Sequence, residues 1–477
     1  MNNLNFLVDV LKESPVFKTL EKNVKPGRTV CASGLSTINK SNIIYALCRL
    51  KGVTAFCLAS DEKEAQTLCN DLSCMGLRAY VYPVRDFNFL DFQSRSHEYE
   101  HARLKVLLKL INHECDVAIA CVDAAAQLTV PRNVLEQSVI EFEEGRELSL
   151  EKATKALTLL GYERFDAVEG SGQFSLRGGI LDFFMPDSDY PVRCEFWGDE
   201  ITDLSYFDIE TQRRFKKADK ITLSPSTEIV IEDRAALADK IEHKAKLLRS
   251  KNSAKAKEKL FSEAELIRSG AMIANADKFI NQIYDKPESL FDYLDRNTLV
   301  FASEFTAIQE RGKSMDFISN ETLMQGFEDG TLCRGFDRFA LTFNECTEFL
   351  QSHGTIVLEN FVHGSMPIKL SEIISFSTKQ LSAWGGSYKQ LKEDVDVLFT
   401  PESKGVIFAG TERAAKNLCD TFNADGINAV YSGGADKISK GELLVMQGAL
   451  SAGFEYPSQK FFAITYSQVS YRPESPK

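Results

Sequence analysis

Three groups of residues in this chain have types and spacings that could do chemistry. The first, Gly34-Leu35-Ser36-Thr37-Ile38-Asn39-Lys40-Ser41, has the spacing of a phosphate-binding loop, G-x-x-x-x-G-K-[ST]. In such a loop glycines let successive amides wrap a triphosphate, while the lysine and the hydroxyl meet its oxygens and its magnesium. Asn39 stands where the last glycine belongs. Asparagine tolerates left-handed backbone better than most residues, so the loop is impaired without being geometrically impossible. A nucleoside triphosphatase also needs an acidic residue after a later apolar strand. The best such strand, Leu299-Val300-Phe301-Ala302, is followed by Ser303 and Glu304, so a serine takes the place of the aspartate. Two defects in one site predict a degenerate loop, marked by Gly34, Asn39, Lys40 and Ser41, that packs the sheet and does not hydrolyse ATP. No catalytic residue and no cofactor are expected in this region.

The second group is His97-Glu98-Tyr99-Glu100-His101, the H-E-x-x-H arrangement of zinc peptidases. It opens a helix whose next turns carry Leu104, Leu107, Leu108 and Leu110, a core-facing stripe, and no third ligand follows. The expectation is a chance match and no metal. The third group lies in Gly161–Arg214, where five arginines (Arg164, Arg177, Arg193, Arg213, Arg214) stand against twelve acids, a balance of 5 − 12 = −7. A domain this acidic suits nucleic acid poorly. Isolated arginines on it suit bidentate recognition of carboxylates on a protein partner, or equally internal pairing with acids such as Glu195 or Asp166.

Strand and helix periodicities must position these groups. Val30–Ala32, Thr54–Leu58, Ala79–Tyr82 and Val117–Val122 read as buried strands, alternating with helices at Lys40–Leu50, Glu62–Met75 and His97–Leu110, which implies a doubly wound parallel sheet. Between about Arg132 and Pro225 the pattern changes. Gly172–Phe184 and Val192–Phe196 alternate like an antiparallel hairpin, separated by the turn-rich run Met185–Pro191, and form a small α+β unit inserted into the first domain. Glu228 to about Lys286 is helical and charged, and the lysines of Lys244–Lys259, without interleaved aromatics, read as a solvated helix face. From about Pro367 the α/β alternation returns, with strands at Gly405–Ala409, Asn428–Tyr431 and Lys460–Thr465 and Thr411 as an N-cap.

A formal net charge of −12 argues against a mainly electrostatic grip on nucleic acid. The eleven cysteines include no C-x-x-C pair, as expected of reduced thiols in a cytoplasmic protein. Neither a signal peptide nor a membrane span is visible, and no membrane partner is expected.

Four stretches, Gly161–Arg164, Gly172–Phe184, Pro191–Ile201 and Phe207–Arg213, resemble domain 2 of UvrB-type repair proteins. The version found in bacterial transcription-repair coupling factors (the Mfd family) is the most similar. Leu290-Phe291-Asp292-Tyr293-Leu294 and Gly453-Phe454-Glu455-Tyr456-Pro457 agree with it. UvrB itself is less similar, because it keeps an intact phosphate loop and a strand-separating hairpin for which Arg85–Arg103 is too short. The resemblance implies a multidomain α/β chain. It comprises a RecA-like parallel-sheet domain (1–133), an inserted UvrB domain 2-like unit (134–227), a helical domain 1B part (228–363) and a C-terminal α/β domain (364–477). It implies further that the inserted unit docks UvrA through Arg164, Arg177 and Phe184, with Arg193 as an additional candidate. RNA polymerase, double-stranded DNA and ATP would be met by later domains, of which this chain would be the N-terminal neighbour.

Overall fold

The computed structural model describes residues 4–85, 98–138, 140–249, 253–270, 276–362, 366–381 and 388–466. Short apolar runs assemble an all-parallel sheet in the spatial order Glu372–Ser375, Val30–Ser33, Thr355–Leu358, Leu299–Ser303, Ala55–Ala59, Val117–Cys121, Ala79–Tyr82. Alternation along each strand divides the buried side chains between two cores. Val30, Ala32, Cys57 and Ile119 meet the helices Asn5–Lys12, Thr37–Lys51 and Glu62–Cys74 on one face. Cys31, Phe56, Leu58 and Ala120 meet Glu98–Ile111, Phe305–Asp329 and Phe343–His353 on the other. Helices on both faces are what near-continuous apolar strands require. The strands expected from residues 30–122 fall within a residue or two of their places. Sequence periodicity did not connect them to Leu299–Ser303, Thr355–Leu358 and Glu372–Ser375, which complete the same sheet after the insertion.

The inserted unit is a six-stranded sheet in the order Arg214–Lys217, Glu200–Phe207, Val192–Trp197, Ile180–Phe183, Gln173–Arg177, Glu163–Arg164. Its pairs are antiparallel except the last, which is parallel. Ser149 caps the helix Leu150–Leu159, accepting from the Lys152 amide, and that helix buries Ala153 and Leu157 with Phe174, Phe183, Cys194 and Leu204. The run Gly172–Phe184, expected as a single alternating strand, is instead a hairpin. Gly178 turns it with φ +62°, a conformation glycine takes without strain, and a side chain at Gly179 would meet the Phe196 carbonyl at 2.7 Å.

Two helices, Arg234–Leu247 and Ser253–Ser269, pack together beyond the insertion. A second six-stranded sheet follows, in the order Lys379–Leu381, Gly453–Tyr456, Phe461–Thr465, Lys404–Phe408, Glu442–Met446, Ala429–Ser432. The Thr411 side chain accepts from the Ala414 amide at the head of Glu412–Ala424, as expected. The helix Asn5–Lys12 lies between this sheet and the large one. Phe6 reaches Phe461 with ring centroids 6.2 Å apart, and one continuous core joins the two domains. No helix among the described residues is long and apolar enough to cross a membrane.

Candidate functional site

The phosphate-type loop is closed upon itself. The helix begins at Thr37, so only Gly34–Ser36 remain as loop between strand and helix. Asn39 is a helical residue and does not adopt the left-handed backbone that its position would need for wrapping phosphate. The amides of Gly34 and Leu35 donate to the carbonyls of Asn360 (3.1 Å) and Glu359 (3.0 Å). A Cβ at Gly34 would lie 2.2 Å from the Phe376 carbonyl, so the neighbouring chain fills the space above the loop.

Lys40 is 2% exposed, and its ammonium donates to Glu304 Oε1 (2.6 Å), Ser303 Oγ (2.9 Å) and Glu64 Oε1 (3.2 Å). Ser303, the serine that replaces the expected magnesium-binding aspartate, itself donates to Glu64 (2.5 Å). Carboxylate oxygens therefore stand where phosphate oxygens would meet this lysine. Burial pushes the Glu64 carboxyl up, but the Lys40 charge and the Ser303 and Ser60 hydroxyls outweigh it and hold it below the usual range. Glu359, beside Glu304, moves the other way. Burial and the Glu304 charge prevail over its bond from the Phe305 amide and push it up to about 7. Glu304 reaches Lys40 from a left-handed backbone, φ 55°, at the head of Phe305–Asp329, a position no sequence periodicity reveals. Ser41 donates to Asp71 (3.3 Å), a buried carboxyl that also accepts from the Ser451 amide and hydroxyl (both 2.7 Å). The hydroxyl expected near magnesium instead ties the first domain to the last.

The H-E-x-x-H residues also have structural partners; His97 lies outside the described residues. Glu100 accepts from the Thr227 hydroxyl (2.8 Å) and the Glu228 amide (2.7 Å), and the His101 ring lies where a Cβ on Gly172 would meet it at 2.5 Å. Glu228, fully buried, accepts from Arg103 Nε (2.6 Å), Arg85 Nη1 (3.1 Å) and Thr129 Oγ1 (3.0 Å). Arg103, also fully buried, lies 4.2 Å over the Tyr82 ring. The motif's helix thus clamps the segment leaving the inserted unit.

The inserted unit's sheet turns one face to its own core and the other outward. The register puts Ser175, Asp182 and Arg193 in one row of the outer face, and Arg177, Ile180 and Glu195 in the next. Asp182 is 1% exposed and receives Arg193 Nε and Nη2 (both 2.8 Å) and Arg177 Nη2 (2.9 Å). The internal pairing that the sequence left open therefore exists, through Asp182; Arg214 takes Glu195 and Asp203. Arg193 is further fixed by Gln212 and by stacking 4.3 Å from the Phe207 centroid, and its hydrogen bonds to Asp182 raise its pKa. Arg177 keeps half of its side chain, 52%, in solvent. One oxygen pair on Asp182 thus orients two guanidiniums without covering the outer one.

Phe184 is half-buried one residue past its strand, its amide donating to the Gln173 carbonyl, and by alternation it follows Asp182 onto the outer face. Arg164 is exposed and has no ion pair among the described residues. It sits on the edge strand in register with core-facing Phe174, apart from the Asp182 cluster. Trp197, not singled out from the sequence, is 82% exposed, two residues beyond Glu195 on the same outer face. The turns after Arg177 and Trp197 lie at one end of the sheet. With strands about 4.8 Å apart and a rise of about 3.3 Å per residue, their Cα atoms are roughly 12 Å apart. A tryptophan held in water beside oriented arginines is the usual composition of a binding hot spot, and its exposure could not be read from sequence.

Residues 140–229 match the family model described as the UvrB interaction domain. Over 473 residues, 96% of its length, the chain is 26% identical to the transcription-repair-coupling factor of Bacillus subtilis (strain 168), covering 40% of that protein. Its identity to the protein of the same name from Staphylococcus epidermidis (strain ATCC 12228 / FDA PCI 1200) is 25% over 82% of the chain and 33% of the relative. For Staphylococcus aureus (strain NCTC 8325 / PS 47) it is 22% over 98% of the chain and 40% of the relative. The chain thus spans 33–40% of the length of these curated relatives.

Proposed function

We propose that this chain, which matches the UvrB interaction domain over residues 140–229 and resembles the transcription-repair-coupling factors over most of its length, is a non-catalytic adaptor that recruits UvrA in transcription-coupled nucleotide-excision repair. The observation that carries this reading is the outer face of the inserted unit. Asp182 preorganises Arg177 and Arg193 there, Phe184 lies one row beyond Asp182 on the side away from Arg177, and Trp197 extends the face. Preorganised guanidiniums lose less side-chain entropy on meeting a partner's carboxylates, and the tryptophan contributes apolar area. Arg164 at the sheet edge, without an ion pair among the described residues, is a second point of attachment.

The alternative, a nucleotide-driven DNA motor, has less support. A triphosphate would have to displace two carboxylates from Lys40 and reopen the first turn of the helix. RNA polymerase binding and ATP-driven movement on double-stranded DNA belong, in this reading, to other parts of a longer protein.

UvrA capture by the full chain tests the proposal. The Arg177→Glu variant should bind at least about tenfold more weakly, a loss of about 1.4 kcal/mol, and should remain folded, because Arg193 still engages both oxygens of Asp182. Normal capture by a folded Arg164→Glu/Arg177→Glu double variant would overturn it.

A further inference from the structure

The edge of the large sheet where its strands begin carries a charge pattern that the docking role does not use. A cavity of about 220 Å³ opens there, lined by Lys25, Arg28, Lys51, Arg296 and His353 and by no aspartate or glutamate. That bias stands out in a chain with 68 acidic and 56 basic residues. A second cavity, about 490 Å³, adjoins it through Val53, Asn297 and Thr298. Its two acids are already engaged, Asp116 by Arg78 (2.8 Å) and Asp295 by Arg132 (3.1 Å). Lys25, Lys51 and Arg296 are exposed, and none has a carboxylate within ion-pair reach among the described residues. Arg28 pairs with Glu372 through Nη2 (3.3 Å), yet its Nε is enclosed without an acceptor. By contrast, in the Lys244–Lys259 stretch Lys244 donates to the Gly335 carbonyl and Lys246 pairs with Glu242.

We propose that this strand-start cavity binds phosphate oxyanions, and that their source is the sugar–phosphate backbone of duplex DNA. The concave wall places the exposed cations Lys25, Lys51 and Arg296 around one space, which Arg28 also lines. The rim cations are exposed, so a lone phosphate would compete poorly with water and salt. A polyanion gains counterion release at every contact and does not depend on enclosure.

The test is fluorescence anisotropy of a labelled 20-base-pair duplex with the full chain between 50 and 200 mM salt. Three to four phosphate contacts predict a slope of log affinity against log salt of about −3. A Lys25→Glu/Lys51→Glu/Arg296→Glu variant should bring that slope close to zero and weaken binding at the lowest salt at least about thirtyfold. Because these side chains are exposed, its melting temperature should match the parent's. The Lys255→Glu/Lys257→Glu variant, which reverses charges in the other lysine-rich stretch, should leave binding unchanged. Inorganic pyrophosphate, titrated calorimetrically and as a competitor, separates the two sources of phosphate. Displacement of duplex by pyrophosphate only at millimolar concentration is the expected result. Tight pyrophosphate binding without duplex binding overturns the assignment to DNA. Absence of both duplex and pyrophosphate binding at 50 mM salt, or duplex binding that survives the triple reversal, overturns the site.

Discussion

Replacing Lys40 by methionine separates a relic nucleotide site from a working one. In a triphosphatase the substitution would abolish hydrolysis and leave the fold largely intact. Here it removes the cation from a buried cluster and leaves Glu64, with 10% of its side chain exposed, and Glu304, with 26%, facing an apolar group. Breaking a buried pair by deleting one partner costs about 3–5 kcal/mol. Glu304 can recruit water, so the lower end, about 3 kcal/mol, applies. A folding unit of 150–250 residues shifts about 2–4 °C per kcal/mol, so thermal melting followed by circular dichroism at pH 7.5 should fall by roughly 6–12 °C. UvrA capture by the folded variant should not change. Lys40→Met/Glu64→Gln should recover part of the loss, because the more buried of the two uncompensated charges is gone while Glu304 keeps its access to water. The effect should also depend on pH. The folded-state pKa of Glu64 is depressed, so the stabilisation it provides is complete above its unfolded value, about 4.3, and is lost as pH falls through the folded value. The gap between parent and variant should therefore narrow below about pH 5. An unchanged melting temperature at pH 7.5, or nucleotide binding by the parent that Lys40→Met abolishes, would refute the closed-loop account.

On the docking face, Trp197→Ala should weaken UvrA binding at least about tenfold without lowering the melting temperature, since the ring is 82% exposed; equal affinity in competition binding would exclude the ring from the interface. Asp182→Asn should weaken binding too, by releasing Arg177 and Arg193, and Asp182→Glu should not substitute for it if bidentate geometry is what matters. Burial pushes the Asp71 carboxyl up to about 6, well above its unfolded value, so its contribution favours the fold below about pH 4 and is lost as pH rises through 6. Asp71→Asn should flatten melting temperature against pH across that window, and an unchanged profile would show that Asp71 does not report on the domain contact. Ten of the eleven cysteines are buried and Cys74 is partly so, and burial raises the thiol pKa at each, so a thiol-specific disulfide reagent at pH 7.5 should react within minutes only after unfolding. Rapid reaction of several thiols in the folded chain would contradict the packing.

Much of this architecture was legible because it rests on local periodicity. Val30–Ser33, Ala55–Ala59, Ala79–Tyr82 and Val117–Cys121 announce themselves as apolar runs between amphipathic helices, and Thr411 caps its helix as its type predicts. What escaped depends on contacts between distant parts of the chain. Joining Leu299–Ser303 to Ala55–Ala59 requires closing a gap of more than two hundred residues, and no local pattern records that pairing. The hairpin turn at Gly178-Gly179 was hidden because alternation continues through it on both sides. At the site, the arginines could be found by composition, but Asp182, which orients two of them, looked like any other acid among twelve. Trp197 belonged to the resemblance, while its exposure is a property of the sheet's outer face alone.

If the outer face docks UvrA as proposed, the two buried charge clusters lead to the expectation that no nucleotide is needed to present it. Glu64 and Glu304 supply Lys40 with permanent anionic oxygens, so the position that would sense a triphosphate has one fixed occupant. A ligand shifts an equilibrium only by its differential affinity for two states, and in this structure the loop's amides are already donated to Asn360 and Glu359. Glu228, held by Arg85, Arg103 and Thr129, together with Glu100 holding Thr227 and the Glu228 amide, ties the inserted unit's exit to the large domain. In the structure the large domain thereby orients the outer face at Arg177 and Trp197. On the proposed reading, gating of its access is expected from a group that covers it and not from chemistry at Lys40.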